Sequence, residues 1–392
     1  NGEEKSLFSV ANIREPGIFD LSAMEDFTSE GVVLFMQVPG SVDDVRAFDA
    51  MVESARILAD NLDSRVCDAS HSPLTNQAIS HMREEGLDLL KIVAETIRIG
   101  EEGGLPTQLT HHKVVGAPMW GKSMDTLRMV DEAIARGVDV SIDQYPYTAS
   151  STSLTILFPG WSLDGGRPAL LERMADAGQR ARLRDDIVYR IETDRGGDDP
   201  ANVQLANCPH DTTINGLNLA EVLRQQEQEI THENAAELLM ELVAAGNCSA
   251  VFHAMHEEAV KRILAHPVTM PSSDGGIEGP SDRVPHPRNY GTFARVLGYY
   301  VRQENVIPFH TAIHKMSRLP ADRIGLTDRG RIEAGAIADI AVLDPDTVID
   351  TSVFGDPHQY AKGMHHVFVT GRPVLLDVEM TGDRPGRILR KR

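Results

Sequence analysis

The stretch Thr110–Gly116 (THHKVVG) decides the fold of this chain when it is compared with the earlier stretch Ser80–Arg83 (SHMR). In both places a short run with apolar residues ends in a histidine, and a segment with helical spacing (86–104) lies between them. Strand, histidine, helix, strand and histidine in this order are typical of two successive β/α units. The sequence therefore predicts an α/β fold in which parallel strands direct side chains to one common site.

A third run, 268–275 (VTMPSSDG), also ends in a chemically active residue, Asp274. Two histidines and an aspartate at strand ends are the residue types of a metal-assisted hydrolase. The structural alternative is that His81 and His111 form ordinary hydrogen bonds and that Asp274 caps a solvated turn, since the chain has 15 histidines. Spacing alone leaves both interpretations open.

The first part of the chain has a different pattern. Residues 7–13 and 31–38 are apolar, β-branched or aromatic and predict two strands, and 41–62 has the spacing of an amphipathic helix. We expect these strands to be mostly antiparallel, because no helix separates them.

After residue 86 helices and strands alternate, apart from a long segment at 155–246. This segment exceeds what one β/α unit needs, so we expect an insertion that covers the site as a lid. We also expect a strand at 249–255. From residue 325 onward, short strands and glycine-rich turns predict a small β-rich domain.

Composition excludes several classes of partner. The formal net charge of −20 argues against nucleic acid or an anionic membrane as a general partner. No run of about 18 apolar residues is present, so we expect no transmembrane segment. The three cysteines, Cys67, Cys208 and Cys248, match no disulfide framework, and we expect a reducing, cytoplasmic environment.

From residue 81 to 392 the chain resembles the D-aminoacylase (N-acyl-D-amino-acid deacylase) branch of the amidohydrolase superfamily. The segments that carry the resemblance are HMREEG at 81–86, THHKVVGAPMWGKS at 110–123, DQYPYTASST at 143–152, PGW at 159–161, SSDG at 272–275, HPRNYGTFARVLG at 286–298 and GRIEAGAIADIAVLD at 330–344. The resemblance implies the second half of a (β/α)8 barrel with a small C-terminal β domain. It also implies a Zn²⁺-dependent hydrolase of N-acyl-D-amino acids.

The resemblance assigns roles to particular residues. His81 and His111 correspond to zinc ligands on the fifth and sixth barrel strands, and Asp274 corresponds to the catalytic aspartate. The family also uses a His-x-His pair and a cysteine from its earlier half, and the 392 residues contain neither at a matching place. We therefore expect an incomplete zinc site and no activity from this chain.

Substrate contacts are expected from residues beside these ligands. Lys113 can bind a substrate carboxylate as a point charge, and Tyr145, Tyr147 and Ser151 can line an acyl or side-chain pocket. Packing of the loop around Pro146 is the alternative for the last three. The case for His112 as a site residue is weaker, and we expect His286, which follows a proline, to be structural or to support the site from behind the ligands.

Residues 6–85 show a second resemblance, to the C-terminal FtsZ-binding domain of the cell division protein ZipA. The matching segments are SLFSVANIREPGIFD, DFTSEGVVLFMQVPGSVDD and HSPLTNQAISHMREE. The match implies a partial α+β domain, whose apolar face for the FtsZ C-terminal peptide corresponds to Ala11, Ile13 and Phe35. The alternative for these three residues is ordinary core packing.

The two resemblances meet at 81–86, which predicts three parts: 1–80, 81–324 and 325–392. This order of motifs leads to the hypothesis of a chimeric reading frame. We expect residues 1–80 and 87–392 to share little packed interface. Three functions follow as candidates: a deacylase-type hydrolase, an FtsZ-binding module, and a barrel remnant without catalysis.

Overall fold

The computed structural model describes residues 77–387 and 389, the helical position 52, and the backbone of two earlier strands. Its central feature is a six-stranded parallel sheet in the order β1-β2-β3-β4-β5-β9. The strands are β1 (Phe8–Asn12), β2 (Val33–Gln37), β3 (Gln77–His81), β4 (Thr107–Leu109), β5 (Val140–Gln144) and β9 (Thr269–Pro271). The predicted parallel arrangement of the strands that end near His81, His111 and Asp274 is confirmed.

Amphipathic helices connect these strands. Helix α1 (Leu89–Gly103) buries Ile92, Val93 and Ile97, and Gly104 ends it in the left-handed conformation that glycine adopts without steric cost. Helix α2 (Ser123–Ala135) buries Leu127, Val130 and Ala133 in the same way. Both faces pack into one apolar cluster with residues of β4 and β5, which fixes the strand ends relative to one another.

The expectation of antiparallel strands in the first part is wrong. Strand β1 pairs with β2 in parallel, and β2 pairs with β3 in parallel, with Phe35 opposite Ile79. The edge of β3 presents unpaired backbone groups that need hydrogen-bonding partners, and β2 supplies them. One sheet also crosses the junction, because β3 pairs with β4, and how much packed interface residues 1–80 share with 87–392 stays a prediction.

Other expectations for the first part lie outside the described residues. Of the helix predicted at 41–62 only position 52 is described, and it is helical and buried. The side chains of Ala11 and Phe35 and the whole of Ile13 are not described, so the FtsZ-peptide face stays a prediction.

The insertion folds around its own core. Its helices are α3 (Gly160–Leu163), α4 (Gly166–Ala175), α5 (Ala177–Thr193), α6 (Leu219–Gln225) and α7 (His232–Ala245). They enclose an apolar cluster that contains Leu183, Ile187 and Leu239. The strand predicted at 249–255 is Ser249–Phe252 (β8), and it lies between β6 (Ser150–Ser153) and β7 (Val203–Asn207) in an antiparallel sheet.

Cys208 and Cys248 form a disulfide between the end of β7 and the start of β8. Both residues are buried in the core of the insertion. The expectation that the cysteines form no disulfide is therefore wrong, and the argument for a reducing compartment loses its basis. The pairing was not visible in the sequence because the two positions become neighbours only when β7 and β8 pair.

The final part of the chain contains helices and a second antiparallel sheet. Helices α8 (Glu257–Ala265), α9 (Arg288–Arg295), α10 (Phe309–Met316) and α11 (Arg318–Arg323) precede strands β10 (Ile340–Leu343), β11 (Met364–Val369), β12 (Arg372–Leu376) and β13 (Glu379–Met380). A π-helix, Val296–Gln303, continues α9. The predicted β-rich region after residue 325 is confirmed. None of the helices within the described ranges is long and apolar enough to cross a membrane.

We predict that replacing both Cys208 and Cys248 with serine lowers the free energy of unfolding by about 2–4 kcal/mol. The disulfide closes a loop whose cysteines are 40 positions apart, which restricts the unfolded chain. Urea unfolding with and without dithiothreitol measures the effect. The reductant should reduce the stability of the unmodified chain to that of the variant. Equal stability of both proteins under oxidising conditions would contradict the cross-link.

Candidate active site

The ends of β3 and β4 bring two imidazole rings together. His81 is the last residue of β3, and His111 follows β4 with a φ of 41°, in the left-handed region. The Nε2 atom of His111 lies 2.6 Å from Nδ1 of His81, and the ring planes are inclined by 81°. Burial, reinforced by the neighbouring His111, lowers the pKa of His81 to about 4. His81 is therefore a neutral imidazole at pH 7, the form that binds metals.

Behind His111 lies a buried carboxylate, Glu85. One oxygen of Glu85 is 2.9 Å from Nδ1 of His111 and accepts a hydrogen bond from Lys113, and the other accepts a bond of 2.8 Å from Arg195. Burial alone would raise the pKa of Glu85, but Lys113, His111 and Arg195 hold it well below its usual range. A carboxylate at Nδ1 orients the ring and directs Nε2 towards His81.

A second carboxylate, Asp143, holds the backbone of the site. It is the second-last residue of β5. Its carboxylate accepts a hydrogen bond of 2.8 Å from the backbone N–H of His111. The hydroxyl of Ser272 donates to the same oxygen at 2.9 Å. Sequence reasoning missed Asp143 as a site residue, although its position at the end of the buried strand VSIDQ was a usable signal.

Asp274 lies after β9 and has a φ of 46°. Its carboxylate forms an ion pair of 2.9 Å with Arg288, which sequence reasoning also missed. A cavity of about 400 Å³ is lined by His81, His111 and Asp274. A smaller cavity of about 190 Å³ is lined by Asp274, Arg288 and Ser151. Asp274 therefore lies on the wall of both cavities.

The predicted substrate residues fall into different surroundings. Ser151 lines the smaller cavity. Tyr145 is buried with its ring between Lys113 and Arg288, at 5.4 and 4.6 Å from the ring centre, and its hydroxyl has no hydrogen-bond partner. Burial raises the pKa of Tyr145, so its hydroxyl stays protonated.

Tyr147 and Lys113 are less available to a ligand. The hydroxyl of Tyr147 donates a bond of 3.5 Å to the carbonyl of Pro287. The Lys113 ammonium is buried and contacts Glu85 and the backbone carbonyl and Nδ1 of His111. Burial lowers the pKa of Lys113 to about 8. Its role as the carboxylate-binding group stays a prediction, and Arg288 at the cavity wall is the better-placed cation.

Two further histidines are buried and neutral. The Nε2 atom of His286 donates to the carbonyl of Ala149 at 3.0 Å, and its Nδ1 accepts from the backbone N–H of Arg288 at 3.0 Å. Burial holds the pKa of His286 well below its usual value and lowers that of His112 to about 3. His286 thus fixes the start of α9, which carries Arg288.

The described residues offer fewer zinc ligands than a catalytic site needs. A catalytic zinc takes three protein ligands and keeps one position open. His81 and His111 supply two nitrogens, which in this structure are hydrogen-bonded to each other at 2.6 Å. Within residues 77–387 no group of three or more histidine, cysteine or acidic side chains is placed to hold a metal ion. The described residues therefore do not complete the zinc site.

Polar side chains at the carboxyl ends of parallel strands place the candidate site at the end of the sheet where enzymes of the (β/α)8 type carry theirs. Comparison with known proteins agrees: residues 93–375 match the family model described as "Amidohydrolase family". The chain belongs to the amidohydrolase family.

Two relatives show which branch is similar. The D-aminoacylase of Alcaligenes xylosoxydans xylosoxydans is 37% identical over 310 residues, which are 79% of this chain and 54% of the relative. The chain thus spans about half the length of this relative. The N-acyl-D-glutamate deacylase of Bordetella bronchiseptica, solved with zinc and a phosphonate inhibitor, superimposes with a TM-score of 0.73 and 29% identity over 96% of this chain and 68% of that one.

The N-terminal part is similar to a different family. Residues 1–85 match the model "ZipA, C-terminal FtsZ-binding domain". The cell division protein ZipA of Shewanella sediminis is 51% identical over 67 residues, which are 17% of this chain and 20% of the relative. The chain therefore joins two sequences of different ancestry, and the two family matches meet between residues 85 and 93.

We predict that stability falls as the pH is lowered from about 6.5. The unfolded chain binds protons on His112 and His286 below this pH, whereas both stay neutral in the folded state because their pKa values are depressed. Each histidine contributes a loss of up to about 1.4 kcal/mol per pH unit. Urea unfolding at pH 7, 6 and 5 should show a smaller slope for His112→Gln. The exposed His314→Gln serves as control, and an unchanged slope in the His112 variant would refute the assignment.

Proposed function

We propose that this chain supplies one half of the active site of an N-acyl-D-amino-acid deacylase. The observation that carries the proposal is the convergence of His81, His111 and Asp274 on one cavity, with Arg288 on the adjoining wall. The 37% identity to a D-aminoacylase supports the choice of substrate class.

The described residues can perform two parts of such a reaction. Asp274 is 38% exposed, so its carboxylate can take a proton from an attacking water and deliver it to the leaving amine. Arg288 can bind the α-carboxylate of the substrate with its planar guanidinium, because the ring of Tyr145 and the carboxylate of Asp274 hold it in place.

The third part, polarisation of the scissile carbonyl, has no complete set of groups among the described residues. In zinc hydrolases a metal held by three ligands supplies it, and here two imidazoles converge. We therefore propose that the chain binds N-acyl-D-amino acids and does not turn them over at a measurable rate.

Ligand binding tests the proposal directly. We predict that N-acetyl-D-methionine binds more tightly than its L enantiomer and that Arg288→Gln weakens binding about tenfold or more, since a hydrogen bond to a charged group contributes about 1.5–3 kcal/mol. Saturation-transfer NMR gives both affinities. The matched control is Arg136→Gln, which also removes an arginine from an ion pair, here the exposed pair with Glu101. Equal binding of both enantiomers, or an unaffected Arg288 variant, would exclude this site.

Turnover is measured separately. With added zinc and N-acetyl-D-methionine we expect no deacylation above background. Release of D-methionine that disappears in Asp274→Asn would show that the chain holds a complete site and would refute the inactive assignment.

A second candidate function rests on the match of residues 1–85 to the FtsZ-binding domain of ZipA. We propose that this part retains at most weak affinity for the FtsZ C-terminal peptide, because β1 and β2 belong to a parallel sheet with β3 and not to the separate α+β domain that the resemblance implies. Calorimetric titration with the peptide checks this expectation. A micromolar dissociation constant that is lost in Phe35→Asp would instead establish a functional FtsZ-binding face.

A further inference from the structure

A cleft of about 490 Å³ lies between the loop after β3 and helix α5 of the insertion. Glu84, Leu87 and Asp88 line one side of it, and Trp161 and Tyr189 line the other. This cleft is larger than either cavity beside Asp274 and shares no lining residue with them.

The indole of Trp161 is held in a fixed position in this cleft. Its Nε1 donates a hydrogen bond of 2.8 Å to Asp186, and the guanidinium of Arg182 stacks over the ring at 4.2 Å. Leu87 and Tyr189 are both exposed, at 43% and 54%. The cleft therefore presents apolar and aromatic surface to an incoming ligand, on a wall that is already ordered.

Asp194, just after α5, is a buried carboxylate on the wall of the cleft. The residue is 6% exposed and lines the cleft, and its Oδ1 atom has no hydrogen-bond partner. Buried carboxylate oxygens are normally paired, and an unpaired one is costly. Gly86 packs close to this oxygen, since a Cβ there would lie 2.8 Å from it.

The charges on the wall indicate which ligand would pair with this oxygen. Four carboxylates line the cleft, namely Glu84, Asp88, Asp186 and Asp194, against two guanidiniums. Both guanidiniums already have partners, because Arg190 pairs with the other oxygen of Asp194 at 3.3 Å and Arg182 stacks on Trp161. The balance of charge favours a cation.

We propose that this cleft is a second ligand site, which binds an organic ammonium carried on an apolar or aromatic body. The ammonium donates to Asp194 and is attracted by Glu84, and the apolar body packs between Leu87 and Trp161. An anion of similar shape is repelled by the net negative charge of the wall, because four carboxylates face two guanidiniums.

The position of the cleft connects it to the candidate active site without merging the two. Glu84 and Asp194 line the cleft, while their chain neighbours Glu85 and Arg195 form the buried ion pair behind His111. A ligand in the cleft thus contacts the same two backbone segments that hold the His111 carboxylate.

The chain contains two tryptophans, which makes a direct test possible. In a Trp120→Phe background, Trp161 is the sole indole, and its fluorescence reports on the cleft. Titration with phenethylamine should change the emission and saturate, whereas the uncharged isostere 2-phenylethanol should bind at least tenfold more weakly. Equal responses to the two compounds would overturn the proposal.

Variants that remove a single negative charge distinguish binding in the cleft from general electrostatic attraction to an acidic protein. Asp194→Asn should weaken phenethylamine binding at least tenfold, and Glu84→Gln should weaken it less. Asp185→Asn, on the exposed face of the same helix, changes the net charge equally and should have no effect. If Asp194→Asn does not fold, as judged by circular dichroism, the Glu84 variant decides. Equal weakening by the Asp185 and Glu84 variants, or none by either, would refute the site.

Discussion

The buried carboxylate of Glu85 is the interaction on which the site depends. It comes from the loop after β3, it contacts Lys113 and His111 from the loop after β4, and it pairs with Arg195 at the end of the insertion helix. Removing one member of such a buried network leaves an uncompensated charge, which costs more than the network itself contributes. One carboxylate therefore orients the ring of His111, joins two strand ends and attaches the insertion to the sheet.

Asp143 complements this arrangement from the other side of His111. Glu85 constrains the ring through Nδ1, and Asp143 constrains the backbone N–H and is itself bonded to Ser272 near Asp274. The left-handed backbone of His111, which is uncommon for a residue with a side chain, is stabilised by these contacts. The ring is consequently fixed at both ends before any ligand is present, which is the condition for a preorganised site.

The sequence was informative where the relevant signal is local. Strand periodicity and a terminal histidine placed His81 and His111 correctly, because a strand end determines where its last side chain lies. Arg195 and Glu85 are 110 positions apart, and Cys208 and Cys248 meet only through β7 and β8, so neither pairing was available to local reasoning. The direction of β1 and β2 was likewise mistaken, because it was inferred from the absence of a helix between them, although the nearly continuous apolar run at 31–38 is also typical of a parallel strand.

The junction of the two ancestries shows which requirements of a parallel sheet do not depend on the side chains of its strands. Strand pairing uses backbone N–H and C=O groups, so β2 satisfies the edge of β3 whatever its residues are. Metal binding at the strand ends, in contrast, depends on which side chains stand there. The last residues of β1, β2 and β3, which pair with one another across the sheet, are Asn12, Gln37 and His81. Asparagine and glutamine are amides, whereas zinc binds imidazole, thiolate or carboxylate groups. A strand of different ancestry can therefore extend the sheet while the metal site next to it stays incomplete among the described residues.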